Sequence, residues 1–254
     1  LRDVTFMSLQ APIGFDLARR FLTQMAGMHA RWWEADGLKA RFPWMNYADS
    51  VQVDHYYNIM ANEKEFNSFV SAPRGAAMPR KLLNADLLRQ AHEKMQTFHR
   101  RMPQTVNHGD THLGNLYVNA DGNPGFLDYQ PCIGPWCVDV SYFMIAGIDL
   151  LDRQRWQGAL LQHYLDALAA HGVTPPSFDD AWLAYRQSVP WGLLIWMLNG
   201  SNFQTEANNT AAATRFAMAM VDLDTFAALD LEMTGRTTFA DDRSKVTSRG
   251  DKLS

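Results

Sequence analysis

This sequence predicts a mainly α-helical chain of α+β type with one small β-hairpin at its chemical centre, and three observations support that class. Apolar residues recur at helical spacing along several long segments. One Asp-Gly pair separates two short apolar runs. No internal repeat or interdomain linker interrupts residues 1–233. A recurrence of about 3.6 residues marks helices that face a core, and Asp-Gly between apolar runs marks a tight hairpin. With 254 residues and 47% hydrophobic content there is enough apolar material for a sizeable interior, so residues 1–233 are expected to form one unit.

Residues 1–13 read as a short extended piece and a loop, with Pro12 and Gly14 ahead of a helix. From Leu17 onward, Phe21, Met25, Met28 and Trp32 share one helical face while Arg19, Arg20 and Arg31 fall off it. His29 and Trp33 are expected within that helix as scaffold, the histidine buried and hydrogen-bonded. Pro43 breaks the pattern, and residues 51–70 read as a further helix. Asn84 is placed to cap the next one, with Leu88, Ala91, Met95 and Phe98 inward and Pro103 beyond its end. After the central stretch, Gly134-Pro135 predicts a helix start running to about Leu150. The following helix, from about Asp152, turns Trp156, Leu160, Tyr164 and Leu168 inward and stops at Gly172. Ser177 to Asp180 reads as a capping box, and Pro190 should kink or split the helix that it opens. A last helix is expected over about Glu206 to Glu232, followed by a solvated polar tail over residues 234–254.

Composition excludes several function classes. A net charge of −4 argues against a nucleic-acid or anionic-membrane surface, which needs clustered Lys and Arg. The longest apolar run, Trp191 to Leu198, is far short of the roughly 20 residues that cross a bilayer, so no transmembrane helix is expected. No secretory signal is visible either. Cys132 and Cys137 match neither a disulfide framework nor a four-ligand zinc site; they suit space-filling roles in a reducing cytoplasm.

Residues 106–139 concentrate polar groups that a packed interior would not choose. If Asp121-Gly122 is a two-residue turn, residue 120 faces 123 and, stepping outward, Asn115 faces Asp128. Opposed Cβ atoms on antiparallel strands lie about 5 Å apart, near enough for an amide oxygen and a carboxylate to hold one hard cation. Magnesium is the natural choice. Pro124 cannot donate to the ladder and confines the hairpin to an edge or a loose ribbon. Asp110 precedes Asn115 by five positions, the Asp-x-x-x-x-Asn spacing of a kinase catalytic loop.

His108-Gly109-Asp110-Thr111-His112-Leu113-Gly114-Asn115, followed by Leu127-Asp128-Tyr129-Gln130, resembles the aminoglycoside phosphotransferase and choline kinase family, including its ecdysteroid-kinase-like branch. The resemblance extends over most of residues 15–230 and implies the C-terminal lobe of a protein-kinase-like fold. It implies an ATP- and magnesium-dependent phosphotransferase acting on a hydroxyl of a small molecule. It also makes Asp110 the catalytic base and Asn115 and Asp128 the magnesium ligands. His108 and His112 become supports of the loop, and Asp139, in Gly134-Pro135-Trp136 and Asp139-Val140-Ser141-Tyr142, becomes its brace.

Kinases of this type hold the ATP phosphates with a Gly-rich loop and a strand-borne Lys, and neither is recognisable before residue 106. No nucleotide-binding residue is therefore named. The chain lacks an initiating Met and is expected to begin near the lobe hinge, with the nucleotide-binding lobe outside it. Gly109 and Gly114 do not make a P-loop, because Asn115 stands where Lys is required and a strand follows. Two rival readings remain: a non-catalytic kinase-like remnant or binding module, and a metal-dependent hydrolase using His108, Asp110 and His112. The second lacks further ligands at recognisable spacing. The helices after residue 150 are expected to shape the acceptor pocket. There Asp149, Asp152 and Glu206 could meet a cationic acceptor or simply form solvated helix faces.

Overall fold

Strand β1 (Val4–Phe6) opens the computed structural model, which describes residues 3–50 and 53–231, and leads to α1 (Phe15–Ala30). Helix α1 buries Ala18, Phe21, Leu22, Met25, Ala26 and His29, the stripe expected of a helix with one face on the core. It ends two residues before Trp32. There the chain turns, with Glu34 in a left-handed conformation (φ 44°), and the Trp32 ring sits edge-on to Phe42 at 5.2 Å. Trp32 thus packs in a small separate cluster and is not part of the helix face.

Next come α2 (Leu38–Arg41), β2 (Asn46–Tyr47), α3 (Val53–Ala61), α4 (Glu63–Val70) and α5 (Pro73–Ala76). The single helix expected over residues 51–70 is two, because the Asn62 side chain accepts from Glu65 N at 3.2 Å and caps a new start. Helix α6 (Ala85–His99) begins where Asn84 Oδ1 accepts from Leu87 N at 3.0 Å, and it buries Leu88, Ala91 and Met95 as the periodicity predicts.

Four short strands follow: β3 (Gln104–Asn107), β4 (Leu116–Asn119), β5 (Pro124–Phe126) and β6 (Cys132–Pro135). They complete two three-stranded sheets, β1-β4-β5, which is antiparallel, and β2-β6-β3, in which β6 runs parallel to β2 and antiparallel to β3. Strand β5 lies at an edge, where the missing amide of Pro124 is tolerated. Gly134-Pro135 does not open a helix. Gly134 pairs with Thr105 and its carbonyl accepts from Asn107 Nδ2 at 3.0 Å, so the sheet takes up both residues and α7 (Cys137–Gly147) starts only after Trp136. Cys132 and Cys137 are buried and not bonded to each other; burial raises both thiols, that of Cys137 to about 12, which fits space-filling roles.

The remaining elements are α8 (Leu150–Ala170), α9 (Phe178–Gln187), α10 (Val189–Leu198), α11 (Glu206–Asp222) and α12 (Thr225–Ala228). Asp149 Oδ1 accepts from Leu151 N at 3.0 Å and starts α8 two residues earlier than the periodicity does. Gly172 (φ 82°) closes it, with Val173 N bonded to Leu168 O at 3.2 Å. Ser177 Oγ accepts from Asp180 N at 3.2 Å, the expected cap of α9. At Ser188 the chain splits into α9 and α10, with Pro190 in the first turn of α10, where no amide is needed. The last expected helix is also two, divided at Asp224 (φ 48°). Glu232 and the expected tail lie outside the described residues.

Helix α7 is buried on every side, and α10 is buried except at Ile195, so the longest apolar run of the sequence forms the centre of the molecule. No helix among the described residues is long and apolar enough to cross a membrane. The two helices hold the site between them: α7 carries Asp139 near its start and α10 carries Trp196 near its end.

Two histidines on α6 make stability pH-dependent. Burial lowers His92 from 6.5 to about 4, against a smaller opposing pull from Asp49. Burial and then the neighbouring His92 lower His99 to about 3. The unfolded chain takes up these protons near pH 6.5 while the folded chain refuses them. Stability is therefore complete above about pH 7 and falls as pH drops toward 4, by up to about 1.4 kcal/mol per pH unit for each histidine. Urea denaturation at pH 7 and pH 5.5 checks this, and an unchanged midpoint would contradict it.

Candidate active site

Strand β3 delivers the chain to a loop whose two ends are pinned. Leu113 and Leu116 are fully buried and anchor its far end in the core. At the near end, Asp139 accepts from His108 N through Oδ2 (2.6 Å) and from Gly109 N through Oδ1 (2.9 Å), and the Thr111 hydroxyl donates to the Asp139 carbonyl at 2.8 Å. Asp139 Oδ2 also meets His29 Nε2 at 3.1 Å, while His29 Nδ1 meets the Tyr164 hydroxyl at 2.8 Å. Because a carboxylate only accepts, His29 donates from Nε2, and in a neutral ring its Nδ1 accepts from the Tyr164 hydroxyl. Burial, followed by the Asp139 charge, holds the Tyr164 phenol well above its ordinary value, which keeps it a donor. Gly109 sits at φ 85°, and a Cβ there would collide with the Gln130 carbonyl. Only glycine fits both constraints.

Both ring nitrogens of His108 are engaged. Its Nε2 meets Leu127 O at 3.0 Å and its Nδ1 accepts from Asp110 N at 3.2 Å, with the Tyr129 ring over it at 4.2 Å. His108 therefore has no lone pair for a metal, which removes the geometry that the hydrolase reading requires. Among the described residues no three His, Cys, Asp or Glu side chains converge as a metal cluster.

The Asp110 carboxylate is oriented from two sides. Asn115 Nδ2 donates to Asp110 Oδ2 and to its backbone oxygen, each at 2.9 Å. His112 Nδ1 accepts from Gly114 N at 3.0 Å, so the proton of a neutral ring lies on Nε2, 3.5 Å from Asp110 Oδ2. Asp110 lines the cavity, with the Tyr142 hydroxyl beside its carboxylate.

The hairpin is one residue out of the expected register. Leu116 pairs with Phe126, Tyr117 with Gly125 and Val118 with Pro124, which leaves Ala120, Asp121 and Gly122 as a three-residue loop. Gly122 (φ 77°) supplies the left-handed step such a loop needs, and Asn119 Oδ1 draws Asn123 N into the pair at 2.7 Å. Asn115 therefore stands opposite Leu127, whose amide bonds to Asn115 O at 2.9 Å. A slip of one residue ought to send Asp128 to the other face. Instead β5 stops at Phe126, and Asp128 adopts a left-handed conformation (φ 55°) that leaves it lining the same cavity as Asn115.

These two residues fit a hard divalent cation. Asn115 points both of its amide protons at Asp110, which leaves its Oδ1 without a protein partner. Asp128 makes no hydrogen bond or ion pair among the described residues. An amide oxygen and an uncompensated carboxylate on one wall are the donors magnesium takes.

The cavity, about 510 Å³, is lined by the loop residues on one side and by an aromatic wall on the other. That wall comprises Tyr56, Tyr142, Trp191, Ile195, Trp196 and Phe203, none of which the sequence singled out as site residues. Tyr142 was reachable in principle, three residues after Asp139, but a helix buried all round carries no amphipathic signal to mark one face. Arg74 also escaped notice. It is buried, donates to the Met197 and Asn199 carbonyls at 3.1 and 2.7 Å, and pairs with Glu206, so it ties down the end of α10 and the wall beyond it. Of the acids considered for a cationic acceptor, Glu206 is neutralised by Arg74, Asp149 caps α8, and Asp152 faces Arg155 at 4.0 Å.

The sequence model of the phosphotransferase enzyme family matches residues 6–172, well over half of the chain. The chain belongs to that family. No curated protein and no solved structure gives a significant match. The family match takes in Asp110, Asn115, Asp128 and Asp139 but stops short of the residues 15–230 over which the motif resemblance was read. Trp191, Ile195, Trp196 and Phe203 lie beyond it, so this phosphotransferase builds half of its cavity wall from segments outside the matched region.

Proposed function

We propose that residues 1–233 are the C-terminal lobe of a protein-kinase-like enzyme that transfers the γ-phosphoryl group of ATP, with magnesium, to a hydroxyl of a small molecule. Family membership supports the reaction class. The observation that carries the residue assignment is the convergence of Asp110, Asn115 and Asp128 on one cavity, with no hydrogen bond to Asn115 Oδ1 or to the Asp128 carboxylate among the described residues. Asp110 receives the proton of the acceptor hydroxyl as its oxygen bonds to phosphorus and the bond to ADP breaks. Asn115 and His112 fix the carboxylate so that it faces the acceptor, a positioning that needs no movement during reaction. Asn115 and Asp128 would hold magnesium, which when bound screens the charge of the phosphates.

The competing reading, a binding module without turnover, is favoured by one observation: no Lys or Arg lines the cavity among the described residues to grip nucleotide phosphates. An ADP-release assay over a panel of alcohols, run on the full-length protein with its nucleotide-binding lobe, separates the two. Magnesium-dependent turnover is the expected result, and its absence across the panel would leave the binding module. Asp128→Ala should weaken magnesium-dependent ADP binding at least about tenfold by calorimetry. Equal affinity with and without the carboxylate would remove Asp128 from the metal site.

A further inference from the structure

Asp110 and three neighbouring side chains close a circuit on the cavity wall. His112 Nε2 lies 3.5 Å from Asp110 Oδ2, and the Trp196 ring stands edge-on to His112 at 5.3 Å. Trp196 in turn stacks on Tyr142 at 6.4 Å with 19° between planes, and the Tyr142 hydroxyl returns to the Asp110 carboxylate. The loop rests on α7, the helix that carries Tyr142, at two points. The Thr111 hydroxyl donates to Asp139 O at 2.8 Å, and Leu113 packs against Gly147. Tyr142 follows Asp139 by one helical turn and so lies on the loop-facing side of α7.

The Tyr142 hydroxyl and Trp196 Nε1 are shut off from solvent, and neither closes a hydrogen bond. The phenol oxygen is within reach of the indole N–H, and the Asp110 carboxylate is within reach of the phenol O–H. An indole can only donate. Burial, then the Asp110 charge, keeps the phenol protonated, so the order of donation runs from Trp196 to Tyr142 to Asp110. Buried donors without partners are rare, whereas hydrogen bonds around a reacting group are often long until substrate binds. Two loose donors leading to the proposed base fit the second case. Donors placed only to fill a core would lose water for nothing.

Resting on the phosphotransfer reading above, we propose that Tyr142 and Trp196 are positioning residues for Asp110. A chain from the Trp196 indole through the Tyr142 hydroxyl holds the carboxylate from α7 and α10, while Asn115 and His112 hold it from the loop. An ionised carboxylate offers about four lone-pair sites. Asn115, His112 and Tyr142 take up three of them, which leaves one for the proton of the acceptor hydroxyl. Trp196 serves twice, because it also backs the His112 ring. It lies beyond residues 6–172, so the loop gains a support from outside the region that the family model matches.

Tyr142→Phe tests this, since it removes one oxygen and keeps the ring that stacks on Trp196. In the full-length protein, with the best alcohol of the ADP-release panel, it is expected to lower kcat roughly tenfold. Magnesium-ADP affinity, acceptor KM and the urea midpoint should stay within about twofold or unchanged. In an Asp110→Asn background the same substitution should lower kcat less than about twofold, because residues that act through one group do not add. A second measurement needs no turnover. The Trp196 indole proton, assigned by its absence from the Trp196→Phe spectrum, should move upfield in Asp110→Asn and stay put when Asp110→Asn is introduced into the Tyr142→Phe background. A kcat unmoved by Tyr142→Phe, equal losses with and without the Asp110 carboxylate, or an indole proton blind to Asp110→Asn would each overturn the chain. Full-length protein that turns over no alcohol would sink the phosphotransfer reading instead, and the indole response then decides by itself whether the three side chains are linked.

Discussion

Asp110→Asn is expected to lower kcat at least about a thousandfold, close to 4 kcal/mol of transition-state stabilisation, while leaving magnesium-ADP affinity within about twofold. The substitution keeps the shape of the side chain and can still accept from Asn115 Nδ2, so the loop has no reason to rearrange. What it removes is the oxygen proposed to receive a proton. Asn115 Oδ1 and Asp128, the proposed holders of magnesium, are untouched, and for that reason binding and turnover should separate. Calorimetry with magnesium-ADP, alongside single-turnover ADP release, measures the two independently. Turnover within tenfold of the unaltered chain would show that Asp110 is not the base, and a parallel collapse of nucleotide binding would show that it supports the cleft.

Much of this centre was legible because its chemistry is local in sequence. Asp110 and Asn115 sit five residues apart and meet through a hydrogen bond inside one loop, so spacing alone brought them together. The pairing of Asn115 with Asp128 was reached through a register that the structure does not adopt. A two-residue Asp-Gly turn sets that register, whereas Ala120 joins the loop and Gly122 provides its left-handed residue. The two residues share a cavity through the left-handed backbone of Asp128, a conformation that costs most side chains energy and that Asp tolerates better than most. No sequence pattern announces that compensation.

Helix ends show the same division between local and distant causes. Asn84, Gly172 and Ser177 act within three or four residues of themselves and were placed correctly. Gly134-Pro135 carries a helix-start signal that its surroundings override, because Thr105 and Asn107, nearly thirty positions earlier, draw it into a sheet. The aromatic wall was invisible for a related reason. Tyr56, Tyr142 and Trp196 come from three helices, two of which are apolar all round, and nothing in their spacing separates a ring that lines a cavity from one that fills a core. The family match and the cavity divide along that line: the loop that would perform the chemistry lies within residues 6–172, and most of the wall facing it does not. That loop is held rigid from behind.

Rigid support from behind is the part assigned to Asp139, and its loss should be the most damaging structural change at the site. Asp139 is 1% exposed and accepts three hydrogen bonds, from His108 N, Gly109 N and His29 Nε2. Asp139→Ala leaves three buried donors without an acceptor, at about 1–3 kcal/mol for each that cannot find water, so a loss of roughly 3–5 kcal/mol in unfolding free energy is expected. The damage should also reach the chemistry, because the two freed amides belong to the residues just before Asp110. In Asp139→Asn one oxygen still accepts but the amide nitrogen confronts a backbone N–H, so this variant should fall between the unaltered chain and alanine on both counts. Urea denaturation at pH 7 gives the first quantity and ADP release below the unfolding transition gives the second. If Asp139→Ala lost less than about 1 kcal/mol, the three bonds would be replaceable by water and the loop would owe its shape to Leu113 and Leu116 instead.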